Sequence, residues 1–283
     1  MKKICIVGVG LIGGSLGLAL RQAKWCQHVA GYGRNSDPLQ RAVDLGAIDS
    51  FSTEPTIVSD CNLIFLATPV GTYPAVLNQI RDHLAPSAII TDGGSTKSSV
   101  VRAAREVFGE LPARFVPGHP IAGKEKSGVE HADANLYQNH KVILTPADGA
   151  DAEAVKIVTD MWHSCGAIVE TLDAEQHDRV LAATSHLPHV IAYALVNAVA
   201  ETTYVQKIFD FAAGGFRDSS RVASSDPTMW RDICLENREA ILEMTARYRS
   251  ELENVERLIE QGDGQGLYDL FETCKKVRDA RFG

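Results

Sequence analysis

The run Lys3-Ile-Cys-Ile-Val7 passes without a break into Gly8-Val-Gly10-Leu11-Ile12-Gly13, and an apolar-striped stretch follows from Leu11 to Gln22. A strand that ends in G-x-G-x-x-G and opens a helix leaves few folds available. The first glycine permits the tight turn, the second lets backbone approach a pyrophosphate, and the third lets the helix pack against the strand. The context therefore predicts a dinucleotide-binding βαβ unit, with Gly8, Gly10, Leu11, Ile12 and Gly13 against the cofactor phosphates at the helix N-terminus. A lone G-x-G-x-x-G is weak evidence; its place between a strand and a helix makes it strong.

Up to about residue 170, short β-branched runs alternate with helical patterns, as expected of a mostly parallel sheet covered on both faces. The strands read as Lys3 to Val7, His28 to Tyr32, Leu63 to Ala67, Ala88 to Thr91, Arg114 to Pro117, Val142 to Thr145 and Ala167 to Glu170. Helical stretches between them include Tyr73 to His83, Ser98 to Phe108 and Ala152 to His163. After Asp173, an N-cap with Gln176 three residues on, only helical periodicity remains. The expectation is an α/β Rossmann-type domain over 1–172 and an all-α domain over 173–283. The segment Leu187 to Ala200 is apolar nearly all round, which suits burial within a domain or between two subunits. A further helix reads from Asp226, with Pro227 in its first turn, to just before Gly262; its stripe from Trp230 to Ile259 reads as packing.

Composition excludes several classes. Lys and Arg number 28 against 36 Asp and Glu, a net charge of −8. That balance argues against general nucleic-acid binding and requires any anionic ligand to be met by locally placed cations. The six cysteines show no metal-ligand spacing and read as buried free thiols, so a reducing cytoplasm is expected. The first apolar run is too short and glycine-broken for a signal peptide, and no segment reaches membrane-spanning length.

Past the second strand, where NAD-binding chains usually carry a carboxylate for the ribose diol, this chain reads Gly33-Arg34-Asn35-Ser36. Arg34 removes carboxylate repulsion and is able to pair with a 2′-phosphate, with Ser36 as a helper, which favours NADP over NAD. The alternative is a solvated loop arginine on a chain that accepts both. At the end of the strand Leu63 to Ala67, Thr68 and Pro69 stand at the sheet's carboxyl edge and are expected to line the cofactor.

Four clusters exceed what folding alone asks for. They are Asp92-Gly-Gly-Ser95-Thr-Lys97, Gly118-His119-Pro-Ile-Ala-Gly123-Lys-Glu125-Lys-Ser-Gly128, Ser185-His186-Leu-Pro-His189 and Gly214-Gly-Phe-Arg217-Asp218-Ser-Ser-Arg221. Together and in order they resemble the prephenate and arogenate dehydrogenase family of tyrosine biosynthesis, over nearly the whole chain. The resemblance implies oxidation of a cyclohexadiene alcohol by hydride transfer to a nicotinamide, coupled to loss of the ring carboxylate as the ring becomes aromatic. It implies prephenate or arogenate as the small-molecule substrate, with prephenate favoured by the presence of Glu125 and His189. The apolar Leu187 to Ala200 helix motivates a homodimer, and the net charge and the short apolar runs speak against nucleic-acid and membrane partners.

The resemblance makes His119 the catalytic histidine, on a loop at the sheet's carboxyl edge, with a near-neutral pKa suited to accepting the hydroxyl proton. Ser95 by itself reads as the cap of the next helix; the family adds a role between nicotinamide and histidine, orienting the imidazole. Arg221 and Asp218 share a face if helical and read either as a surface ion pair or, by resemblance, as a carboxylate-holding arginine with an orienting acid. Ser185 and His189 fall on one helix face, with Pro188 expected to kink it. The family puts both at the substrate pocket, leaves His186 structural, and lets Glu125 reach the substrate's far end; Lys124 and Lys126 read as solvent-facing. Two competitors stand. A β-hydroxyacid-type dehydrogenase typically uses a lysine in its helical half, where this chain has SHLPH, and a non-catalytic NADP-sensing binder would need neither His119 nor Arg221. No appended regulatory domain is expected, so inhibition by tyrosine would act at the active site.

Overall fold

The computed structural model describes residues 3–124 and 126–283, which form two compact units, residues 1–238 and 239–283. In the first unit the strands β1 (Lys3–Val7), β2 (His28–Tyr32), β3 (Ser50–Ser52), β4 (Leu63–Leu66), β5 (Ile89–Asp92) and β6 (Phe115–Val116) form one parallel sheet of order β3-β2-β1-β4-β5-β6. This is the doubly wound order in which ligands bind where the winding reverses, between β1 and β4. Alternation along each strand builds two cores. Ile4, Ile6, Leu63 and Phe65 face one apolar cluster, while Cys5, Val7, Ile64 and Leu66 face the other, and all eight are buried.

Helices α1 (Leu11–Gln22), α2 (Ser36–Asp44), α3 (Tyr73–Ile80) and α4 (Ser98–Phe108) alternate with these strands. In α4 the buried Val100, Ala103 and Ala104 sit on one face, and Gly109, at φ 84°, ends the helix. Three further strands depart from the single-sheet expectation. β7 (Gly118–Pro120), β8 (Lys141–Leu144) and β9 (Ile168–Thr171) make a separate sheet in which β7 runs antiparallel to β8. Gly118 and His119 thus belong to a strand, where the sequence suggested a loop; three residues beside prolines are too few to show a period.

Helix α5 (Ala152–Ser164) is capped by Asp151, whose side chain accepts from the amides of Glu153 and Ala154. Asp173 likewise caps α6 (Ala174–Leu181) by accepting from Gln176 N, as its spacing predicts. A π-helical turn, Ala182–His186, then leads into α7 (Leu187–Ala200). Only Leu187 and Ala192 of α7 are buried, so this apolar helix is not enclosed within the single chain. α8 (Val205–Asp210), α9 (Gly214–Ser220) and α10 (Pro227–Glu236) complete the unit. The single helix expected from Asp226 to Gly262 is broken at Asn237, where α10 ends and α11 (Arg238–Glu260) begins. The second unit consists of most of α11 and of α12 (Gly264–Phe282), whose cap Asp263 accepts from Gly266 N. Leu242, Leu252, Ile259, Tyr268, Phe271 and Val277 on these two helices are exposed. All six cysteines are free; Cys5, Cys61 and Cys165 are buried, Cys26 and Cys234 partly so, and Cys274 is exposed, against the expectation of burial.

Candidate active site

A cleft of about 740 Å³ opens at the carboxyl ends of β1 and β4, within the size range of small-molecule sites. Gly10, Leu11 and Ile12 line it on one side, with Thr68 and Pro69 beyond β4. Gly8 sits at φ +90°, and a Cβ there would lie 2.8 Å from Thr68 Cγ2, while one on Gly13 would collide with the Gly8 carbonyl. A Cβ on Gly10 would meet no atom of the described residues within 4 Å, and Gly10 lines the cleft. Among the described residues no side chain caps the N-terminus of α1, which leaves its first amides available to a phosphate. These features fit a dinucleotide.

On the opposite wall stand Ser95, His119, Ser185, His189 and Trp230. His119 is 9% exposed. Its Nδ1 lies 2.9 Å from Nε2 of His177, and Nδ1 of His177 lies 2.8 Å from Oδ1 of Asp178. The two ends of this chain fix its protons. An ionised carboxylate only accepts, so His177 carries its proton on Nδ1 and offers the lone pair of Nε2. His119 then donates from Nδ1, and its own Nε2 is left basic. Burial raises the Asp178 carboxyl, but hydrogen bonds from His177 and from the amides of Lys97 and Ser98 outweigh it and hold the group below its usual range. Burial, then His177, Lys97 and His186, push His119 well below the ordinary histidine value of 6.5.

Asp178 also caps α4, accepting from Lys97 N at 2.7 Å and Ser98 N at 2.8 Å. Ser95 is therefore not the cap of that helix; it lies three residues earlier, half-buried, on the cleft wall. Behind His119, Lys97 and Asp92 form an ion pair of 2.5 Å with both side chains fully buried. The pair grips Gly118 from both sides: Lys97 Nζ donates to its carbonyl at 2.6 Å and Asp92 Oδ1 accepts from its amide at 2.9 Å. The backbone preceding His119 is thereby locked. Tyr73 adds a hydroxyl donor to Asp92 at 3.2 Å.

His189 stacks on Trp230, with ring centroids 3.7 Å apart, and donates from Nδ1 to the Ser185 carbonyl at 2.9 Å. Trp230 and Ile233, read from the sequence as packing, line the cleft. The sequence reading also passed over His177 and Asp178, and gave Lys97, which closes one of the four clusters, no role of its own. The signal was available in α6, where His177 and Asp178 occupy the buried face together with Leu181 while Glu175, Gln176 and Arg179 are exposed.

Four other sequence candidates are not among the residues that line the cleft. Asp218, near the end of α9, and Arg221, in the 3₁₀ turn that follows, are exposed and not among the cleft-lining residues; Val222 is. Arg34 and Ser36, past the end of β2, are exposed and outside the lining, and Ser36 Oγ is 3.4 Å from Asp37 Oδ1. Glu125 falls outside the described residues. Lys124 and Lys126 are exposed as expected, at the rim of the cleft, with Lys124 bonded to Asp133 at 3.0 Å.

A doubly wound sheet with a glycine cradle, facing a histidine held by a buried relay, defines the class of nicotinamide-dependent dehydrogenases. Residues 16–171 match the nucleotide-binding domain of prephenate dehydrogenase, and residues 173–273 match its dimerization domain. The chain belongs to the prephenate dehydrogenase family. It is 36% identical to cyclohexadienyl dehydrogenase of Zymomonas mobilis, over 98% of this chain and 95% of that one. It is also 36% identical to prephenate dehydrogenase of Bacillus subtilis, over 98% of this chain and 75% of that one. The structure of prephenate dehydrogenase from Aquifex aeolicus, in complex with hydroxyphenyl propionate and NAD+, superposes with a TM-score of 0.92 at 38% identity, covering 99% of this chain and 98% of that one.

Proposed function

We propose that this chain oxidatively decarboxylates prephenate to 4-hydroxyphenylpyruvate, with arogenate, which carries an amino in place of the keto group, as a second substrate. The observation that carries the reading is the His119–His177–Asp178 relay, which leaves Nε2 of His119 unprotonated on a residue that lines the same cleft as Gly10, Leu11 and Ile12. Gly8, Gly10, Leu11, Ile12, Gly13, Thr68 and Pro69 hold the dinucleotide, whose nicotinamide supplies the hydride acceptor when bound. His119 takes the ring hydroxyl proton at Nε2 as the carbinol carbon is oxidised. The positive charge that His119 gains is stabilised through His177 by the Asp178 carboxylate, which plays the part of the buried acid in a triad. Loss of the ring carboxylate as CO2 then needs no further base, since formation of the aromatic ring drives it.

Ser95 orients the His119 imidazole, and Ser185 and His189 bind the substrate. Arg221, with Asp218 orienting it, holds a substrate carboxylate, and Glu125 reaches the far end. Arg34, helped by Ser36, gives a preference for NADP over NAD, supported by the absence of a carboxylate at positions 33–36. We place the domain boundary at 172/173, immediately before the capped start of α6. The active form is a homodimer with α7 in its interface, an assignment supported by the exposure of that apolar helix. No helix among the described residues is long and apolar enough to cross a membrane; six free thiols support a reducing cytoplasm.

The test is the appearance of reduced nicotinamide and 4-hydroxyphenylpyruvate when the protein is mixed with prephenate and either NADP+ or NAD+, with arogenate run in parallel. Faster turnover with NADP+ is expected. Silence with both substrates ends the reading, and a strong preference for NAD+ removes the role given to Arg34.

A further inference from the structure

The π-turn Ala182–His186 ends two residues before Pro188, whose ring in a continuous α-helix would press on the carbonyl four residues back, that of Thr184 inside the turn. A π-turn spends one extra residue, and each residue of a helix advances it by about 100°. Everything after the turn is therefore aimed about 100° away from where an unbroken α-helix would point it. Ser185 lies inside the turn and His189 just beyond it, and both line the cleft. Their place depends on the turn being kept.

Asn237, at the C-terminal end of α10 and 6% exposed, spans that turn. Its side-chain Nδ2 donates to the carbonyl of Asp178 at 2.8 Å, four residues before the turn begins, and lies 3.1 Å from Nδ1 of His186, the last residue of the turn. An amide N–H donates, so Nδ1 of His186 accepts and its ring is neutral with the proton on Nε2. His186 is 1% exposed and stands edge-on to Trp230, the residue that stacks on His189. One amide thus ties the helix carrying the relay to the end of the turn that aims the substrate-facing side chains.

We infer that Asn237 and His186 are positioning residues, a buried amide–imidazole staple that holds the π-turn and so fixes Ser185 and His189 in the substrate half of the cleft. The inference rests on the prephenate reading of the site. The staple touches none of the residues of the glycine cradle, and its nearest link to the nicotinamide side is a hydrogen bond between His186 and the Ser95 backbone, so its loss should weaken substrate binding more than dinucleotide binding.

The experiment measures, for the full chain, kcat and KM with prephenate, the Kd of NAD+, and the Kd of 3-(4-hydroxyphenyl)propionate in the presence of NAD+. Asn237→Leu and His186→Leu should each raise the prephenate KM and weaken the propionate by about tenfold to a hundredfold. The NAD+ Kd should stay within about twofold. The double variant should be worse than either single one by less than the product of the two effects, because the amide–imidazole bond is lost in each while the Asn237 bond to Asp178 is lost only with Asn237. His186→Asn, whose Oδ1 still accepts near the Nδ1 position, should restore most of the affinity, whereas His186→Gln should not. This milder pair decides the matter where the leucine variants do not fold. Unchanged KM and propionate affinity in the variants, effects that add in the double variant, or parallel loss of NAD+ and propionate binding overturn the staple. A wild-type protein inactive on prephenate and arogenate overturns the functional reading and the inference with it, whereas an active wild type with unaffected variants overturns the inference alone.

Discussion

Nδ1 of His119 and Nε2 of His177 are 2.9 Å apart across 58 residues of chain, and because Asp178 accepts from the far side of His177, this contact decides which nitrogen of His119 is basic. Asp178→Asn tests the dependence. An amide in that place carries no negative charge to stabilise a protonated His119, and whichever way it turns its NH2 faces a backbone N–H, that of Lys97 or that of Ser98. We expect kcat to fall by about 10²–10⁴-fold with NAD+ affinity nearly unchanged. A steady-state rate within about tenfold of wild type would contradict the relay.

Burial also makes these histidines a source of acid sensitivity. His186 is pushed down to about 4 from 6.5, mainly by burial, and His119 and His177 are lowered as well. The folded state therefore binds fewer protons than the unfolded chain between those values, so stability falls as pH drops from 6.5 towards 4 and is flat, for these groups, above 6.5. His186 alone accounts for roughly 3 kcal/mol across that window. Urea unfolding at a series of pH values checks this, and His186→Asn should flatten the slope.

The Lys97–Asp92 pair is buried without exposure of either side chain. Lys97→Met leaves the Asp92 carboxylate enclosed without its partner and frees the Gly118 carbonyl. The expected loss of stability is about 3–5 kcal/mol by denaturant unfolding. A loss no larger than that of a surface pair, below about 1 kcal/mol, would show that the pair is not what locks β7.

Arg221 sits in the turn after α9, next to the cleft-lining Val222 but not itself among the lining residues. If it holds a substrate carboxylate, Arg221→Ala should raise the prephenate KM by about 10–100-fold, the worth of a charged hydrogen bond or two, with a smaller change in kcat. An unchanged KM assigns the residue to structure.

The sheet was legible because its signals are local. β-branched runs, the Gly8 to Gly13 spacing and the Asp173 cap each lie within a dozen residues, and α1 and α4 fall on their predicted bounds. The motifs around Ser95, His119 and Ser185 pointed to three strips of chain that the fold brings into one cleft. What stayed hidden depends on distance along the chain or on geometry without a compositional mark. His177 and Asp178 take their meaning from His119 and the start of α4, which sequence order does not reveal. The break at Asn237 carries neither Gly nor Pro, so the stripe from Trp230 onward read as one helix, and Trp230 read as packing although it stacks on His189. A three-residue strand such as β7 has no period to detect.

The most direct test is replacement of the base itself. In His119→Asn, pre-steady-state and steady-state formation of reduced nicotinamide from prephenate should fall by at least about 10²-fold, while the Kd of NAD+ remains within about twofold of wild type. Turnover retained near the wild-type rate would contradict the assignment of His119 Nε2 as the proton acceptor.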